Sequence, residues 1–449
     1  VRLPFRQCRG TKSERAGPGK VIGAFLTPIR SNGNEAHAIL IHRGFKYKLD
    51  PTPEQETLFR QFAGVCRFVY NLALEQREKY RDTYAYAGIP LNFAQQSREL
   101  TMLRAEVDWI AAVPSVCEEQ ALRDLDRAFA NFFAGRGGYP TPRKKGLHDT
   151  FRFKGREVAI RVINSKWAAV RLLKTGWVKF RMTRPIGGEI KNATVTLDAL
   201  GWHIAFSCEA YRPDAECDGP SVGIDRGVAT TLMLSTGEAF CVPASMNAID
   251  RRYRSAQRVV ARRKKGSNRR RKAILRCTRL SAKRARIRRD WHHKTSNSIA
   301  SRFGVVVMEH LRVVNMTASA KGTVESPGLN VRQKAGLNRS ILNQGWSSFA
   351  TILGYKLEER GGHLVTVDPA YTSQTCSGCG TVDKASRKSQ AVFHCQHCGF
   401  RGHADHNAAI NILRRNTASM GVEEGHRLSV EALTRSDFSA AENQPAFAG

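Results

Sequence analysis

Long apolar runs are missing from this chain. None approaches the ~20 consecutive residues of a membrane span, and the run Val21–Leu26 is too short for the core of a signal peptide. A cytoplasmic protein without membrane contact is therefore expected. Acidic residues are scarce as well: 39 Asp and Glu face 72 Lys and Arg, a net charge of +33. Solubility does not call for a field this one-sided. A polyanionic partner does, and nucleic acid is the simplest one. The eleven cysteines do not suggest disulfides in such a compartment, where thiols and metal ligands are the rule. Cys66, Cys117, Cys208, Cys217, Cys241 and Cys277 are scattered and read as small neutral side chains.

Residues 1–40, rich in Gly, Arg and Ser without periodicity, read as a disordered tail. Order starts at the alternating strand His42–Leu49. Thr52 and Gln55 then form a capping box with Pro53 at the first helical position. Leu58, Phe62, Val65, Val69 and Leu72 follow at helical spacing. Ser115 and Glu118 are expected to form a second capping box, ahead of a stripe of Leu122, Leu125, Phe129 and Phe132. After a Gly/Pro/basic breaker at 135–146 the period changes to two, in "EVAIRVIN", "WAAVRLL", "WVKFRM", "NATVTLDA" and "WHIAFSCEA". Short strands so spaced suggest a small barrel or sandwich.

Beyond a linker at 211–220, "SVGIDRG", "ATTLMLS" and "EAFCV" read as three strands. Two basic helices around "KKGSN", the buried strand "FGVVVMEHL", one helix over Arg339–Gly362, the strand "HLVTVDP" and the short helix "DHNAAINILRR" complete the order. Strands alternating with helices after an antiparallel opening describe a mixed sheet with helices on both faces.

Cys376-x2-Cys379 and Cys395-x2-Cys398, separated by 15 residues, have the spacing of a four-cysteine zinc site. Four thiolates from two glycine-rich turns close a tetrahedron, so this ion is structural. His394 and His397 stand near as substitute ligands that the site does not need. Asp405 starts the last helix, where Asp is a favoured N-cap. Two further acids give it a second reading. Asp225 sits in the apolar strand "VGID", and Glu309 ends "VVVME". Carboxylates at such positions are costly without a compensating cation or hydrogen bonds. Parallel neighbours in an open sheet place their ends at one edge. There Asp225, Glu309 and Asp405 would offer hard oxygen ligands to Mg2+ or Mn2+, with room for two ions to clamp a phosphodiester. Residues 251–289 hold no acid. Their densest part, Arg262, Arg263, Lys264, Lys265, Arg269, Arg270, Arg271 and Lys272, is the candidate nucleic-acid contact, with a solvated surface or a mobile tip as the rival readings.

Taken together, "KYKLDPTPEQ…VYNLAL", "VPSVCEEQALRDLDRAF", "GIDRGV", "VVMEHLRV", "LNRSILNQGWSSF", "YTSQTCSGCG" and "CGFRGHADHNAAINIL" resemble the TnpB (OrfB-type) family of bacterial and archaeal insertion sequences, relatives of type V CRISPR effectors. The resemblance spans about residues 44–416. It implies an α+β multidomain RNA-guided DNA endonuclease of a transposable element, in a prokaryotic cell and associated with the nucleoid. The implied partners are a guide RNA from its own locus and double-stranded target DNA bearing a short flanking motif; no subunit count is implied. The implied layout is a wedge-type β-barrel (41–50 and 138–215) interrupted by a helical recognition module (51–137). An RNase H-like, RuvC-type nuclease domain (216–371 and 400–418) follows, with an inserted zinc ribbon (372–399) and a flexible tail (419–449). Asp225, Glu309 and Asp405 match the three acidic motif positions, which opposes a guided repressor that does not cut. A miniature type V CRISPR effector and an unguided RuvC-like resolvase or transposase remain the alternatives.

Overall fold

The computed structural model describes residues 38–80, 91–213, 217 and 219–419; the expectations for 1–37 and 420–449 lie outside them. The chain divides into two compact units between Tyr211 and Arg212. Among the described residues no helix is long and apolar enough to cross a membrane.

The first unit contains β1 (Ala38–Asp50), α1 (Pro53–Glu78), α2 (Phe93–Glu106), α3 (Asp108–Ala111), α4 (Ser115–Phe133), β2 (Thr150–Lys154), β3 (Ala159–Val162), β4 (Trp167–Leu172), β5 (Gly176–Arg181), β6 (Glu189–Asp198) and β7 (Gly201–Pro213). The first capping box forms, with Thr52 and Gln55 exchanging side-chain to backbone bonds ahead of Pro53. The second does not. Pro114 precedes α4 in an extended conformation and Ser115 is already helical. The fixed φ of proline sets the entry, and Glu118 turns inward to pair with Arg104.

The strands form one sheet in the order β2-β6-β7-β1-β5-β4-β3, in which β2–β6, β6–β7, β1–β5, β5–β4 and β4–β3 pair antiparallel. Its edge strands are consecutive in sequence, joined by residues 155–158. That link reaches roughly 17 Å, whereas seven flat strands would put the edges about 29 Å apart. The sheet is therefore strongly curled. Phe59 and Phe62 of α1 and Leu122 and Leu125 of α4 fill it together with Phe151, Phe153, Phe180 and Phe206.

The second unit contains β8 (Ser221–Asp225), β9 (Leu232–Leu234), β10 (Ala239–Phe240), α5 (Ser245–Arg262), α6 (Asn268–Ala300), β11 (Val305–Glu309), α7 (Val313–Met316), α8 (Val331–Gln344), α9 (Trp346–Glu358), β12 (His363–Val367), β13 (Val392–His394), β14 (Arg401–His403) and α10 (Ala404–Ser419). Its main sheet runs β10-β9-β8-β11-β12. β8, β11 and β12 are parallel, and β9 and β10 are antiparallel. Alternation sorts the faces. Val222, Ile224, Val306 and Met308 pack with Ile299 of α6 and Phe349, Leu353 and Leu357 of α9. The opposite face carries α10. There a side chain on Gly223 would place its Cβ 2.2 Å from the Ala409 carbonyl oxygen, so only glycine lets the helix lie this close.

The single helix expected over Arg339–Gly362 is two helices. Gly345 adopts φ 66° between α8 and α9, and a Cβ there would lie 3.0 Å from the His292 ring and 3.1 Å from Arg288. Helical periodicity continues across this break, which is why the pattern alone hides it.

Candidate active site and metal centre

The parallel register pairs Val307 with Gly223 and Met308 with Ile224. The next residues, Glu309 and Asp225, therefore end adjacent strands side by side, on the face that α10 covers. Asp405 lies in the first turn of α10, and Gly227, two residues past Asp225, faces it: a Cβ there would stand 3.9 Å from Asp405 Oδ2. Glu309 and Asp405 are buried, while Asp225 keeps partial access to solvent.

Their electrostatics express this crowding. The Asp225 carboxyl is pushed up to about 7, first by burial and then by Glu309 and Asp405. Burial also raises Glu309, opposed by a hydrogen bond from Thr372 and by Arg226. It raises Asp405 too, against His403 and Arg387. The surrounding cations are specific. Arg226 donates to the Glu309 carbonyl oxygen, and burial lowers its own pKa to about 10. Arg387 approaches Asp405 at 3.5 Å. Thr372 donates to Glu309 Oε1 and so fixes that carboxylate. Hard carboxylate oxygens, each held above its ordinary range by burial and Asp225 also by its two neighbours, are the ligand type that Mg2+ and Mn2+ take.

Asp405 is not the helix cap. Its backbone N–H donates to Nδ1 of His403 at 3.3 Å, so His403 takes that role. The Asp405 carboxylate is left to face Arg387 and the strand ends. Sequence reasoning also missed what fixes α10. Asn407 bonds the Ser377 N–H and the Thr375 carbonyl, both at 2.8 Å. Asn411 bonds the carbonyls of Thr372 and Thr375. Their i, i+4 spacing puts both on one helix face, the available signal. Gln344 was missed too: it accepts from Thr231 and donates to the Val228 carbonyl, both at 3.1 Å, bracing the loop that follows Asp225.

Among the described residues, Cys376, Cys379, Cys395 and Cys398 are the group whose potential ligand atoms all lie within 4.8 Å of one another. His394 and His397 are not in it. The Sγ pairs Cys376–Cys398 and Cys379–Cys395 are each 3.7 Å apart, far too long for a disulfide. A tetrahedral ion with ~2.3 Å Zn–S bonds has S···S edges of about 3.8 Å. These two edges match that geometry, and four clustered thiols suit zinc.

The basic residues fall at one hairpin. Arg262 ends α5, Arg263, Lys264 and Lys265 lie in the connection, and Arg269, Arg270, Arg271 and Lys272 occupy the start of α6. Cations at a helix N-terminus oppose the helix dipole, so folding of α6 does not explain their placement.

Three family models match the chain. One described as a probable transposase (OrfB of IS605) matches residues 205–320, a helix-turn-helix domain of the same group 41–84, and a Cas12f1-like TNB domain 346–412. Here residues 41–80 form most of β1 and an unbroken α1. The "Putative RNA-guided DNA endonuclease InsQ" of Escherichia coli (strain K12) is 38% identical over 386 residues, 85% of this chain and 94% of that protein. A "Putative RNA-guided DNA endonuclease" of Streptomyces pristinaespiralis is 32% identical over 416 residues, 90% of this chain and 96% of that one. In a solved Cas12f1–sgRNA–target DNA complex, a chain of 16% identity aligns with 80% of this chain and 83% of its own length at a TM-score of 0.48. With 85% and 90% of its length matched to the Escherichia coli and Streptomyces proteins at 38% and 32% identity, the chain belongs to the TnpB (OrfB-type) family of insertion-sequence proteins.

Proposed function

We propose that the protein is an RNA-guided DNA endonuclease of a transposable element, and that Asp225, Glu309 and Asp405 form its hydrolytic site. The observation that carries the site assignment is the register. Asp225 and Glu309 end neighbouring parallel strands, and the helix bearing Asp405 is seated on the same face. In this reading the second unit is a RuvC-type, RNase H-like domain and the curled sheet of the first is the wedge barrel. The cysteine quartet is a zinc ribbon holding one structural Zn2+.

Asp225, Glu309 and Asp405 would hold one or two Mg2+ or Mn2+ ions. When bound, such ions supply Lewis-acid polarisation of the phosphodiester and offset charge on its oxygens. The protein prepares the rest. Thr372 sets the Glu309 carboxylate, and Arg226 ties the start of the Asp225 loop to the end of β11. Repulsion among the acids in the ion-free site favours any cation that enters. The hairpin of α5 and α6 supplies positive charge for the phosphates of RNA or DNA. Base pairing by the guide reads the target sequence, so the protein needs to read only shape and a short flanking motif.

The test uses full-length protein purified with RNA from its own locus. Rewriting the 3′ guide segment is expected to redirect Mg2+-dependent cleavage to the newly complementary site. Cleavage of unchanged sites, or by RNA-free protein, would replace this reading with an unguided resolvase.

A further inference from the structure

We propose that a hollow between α5 and α6 seats one unstacked nucleotide of the bound strand. Its phosphate would lie among Arg263, Arg269, Lys272 and Arg276, with its sugar and base on Ala256, Val259 and Ala273. This rests on the nucleic-acid reading above and adds a discrete site to it. The hollow encloses about 290 Å³, near the lower end of small-ligand pockets. No residue of the carboxylate site lines it.

Its walls sort by chemistry. The apolar floor comes from both helices, and the four cations stand at the rim, exposed to solvent. Among the described residues none of these four is in an ion pair. The closest acid in sequence, Asp250, is engaged by Arg284 at 3.1 Å. Four like charges around one opening repel one another, and a phosphate reverses that cost. The neighbouring arginines behave differently. Arg270 turns back to the Arg263 carbonyl oxygen at 3.3 Å, and Arg271 reaches Asn268 at 3.5 Å. The hollow thus selects a subset of the basic run and adds Arg276, outside its densest part. The floor offers no side-chain donor or acceptor, so it cannot read a base edge. An arginine plane and apolar carbons accept any base, and the site is indifferent to sequence.

The experiment uses the full chain assembled with guide RNA and target DNA. One arm carries 4-thiouridine in the RNA, the other 5-iododeoxyuridine in the DNA, and adducts are mapped by mass spectrometry. We expect adducts within residues 256–276 from one arm, which identifies the strand. Val259→Trp, which fills the hollow without changing charge, should abolish the adduct and weaken binding about fivefold or more at an unchanged salt slope. Arg276→Gln is exposed and safe for folding, and should make the slope shallower by about 0.7–0.9. Adducts absent from this segment in both arms, or Val259→Trp binding like wild type, overturn the site. Guide-directed cleavage is measured in the same samples. Redirected cleavage without adducts sinks the hollow alone, and unredirected cleavage sinks the functional reading.

Discussion

The side-chain oxygen of Asn407 accepts the backbone N–H of Ser377 at 2.8 Å. Asn407 follows Asp405 by two residues, and Ser377 sits between the first two cysteines. The cysteine insert is thus bolted to the helix that presents the last acid. Asn407→Leu should leave the buried Ser377 N–H without a partner, while the Thr375 carbonyl keeps the bond from Asn411. One such orphaned group costs about 1–3 kcal/mol. Thermal denaturation should show the loss, and cleavage should fall further than target binding because Asp405 loses its bearing. Equal losses in binding and cleavage would make Asn407 a purely structural residue.

Zinc content follows from the quartet. Elemental analysis of protein purified without chelator should find about one Zn2+ per chain. Cys379→Ser should lower both the zinc content and the stability of the second unit, since ligation and folding are coupled. Protein free of zinc yet fully folded would refute the assignment.

What could be read in the sequence was what local pattern encodes. The spacing of Cys376, Cys379, Cys395 and Cys398, the strands ending at Asp225 and Glu309, and the capping box at Thr52 are local. Ser115 failed as a cap because the proline before it had already set the helix entry. The break at Gly345 is set by close approach of His292 and Arg288, about fifty residues away in sequence. Gln344, Asn407 and Asn411 bind backbone groups at long sequence separation; the i, i+4 spacing of the two asparagines marks a shared helix face but does not name those partners. Asp405 looked like a cap because the competitor, His403, is not a favoured N-cap residue.

Stability should depend on pH through Glu118. Its side chain is fully buried, Oε1 has no hydrogen-bond partner, and Arg104 holds the other oxygen. Burial pushes its pKa up to about 7, against the hydrogen bond from Arg104. A raised carboxyl binds its proton more tightly in the folded state, so its contribution is complete below the ordinary value of 4.5. It is lost as pH rises through about 7. Glu118→Gln cannot titrate. Its melting temperature should therefore gain on wild type between about pH 4.5 and pH 7. A constant difference across that range would show that Arg104 fully compensates the charge.

The role of Asp405 can be isolated because His403, not Asp405, caps α10. Asp405→Asn keeps the shape and removes the charge. In chelator the variant should be at least as stable as wild type, since burial disfavours the carboxylate. Added Mg2+ should stabilise wild type more than the variant, because an ion that binds only the folded site raises its stability. Guide and target binding should persist. Cleavage should fall roughly 10²-fold or more, as expected when about 3 kcal/mol of transition-state stabilisation is lost. Asp225→Ala and Glu309→Ala should lose cleavage in the same way. The decisive pair of measurements is the cleavage rate and the Mg2+-induced shift in melting temperature. If Asp405→Asn cuts near the wild-type rate and shows the wild-type shift, Asp405 serves only the positive end of the helix dipole, and the metal site must be drawn without it.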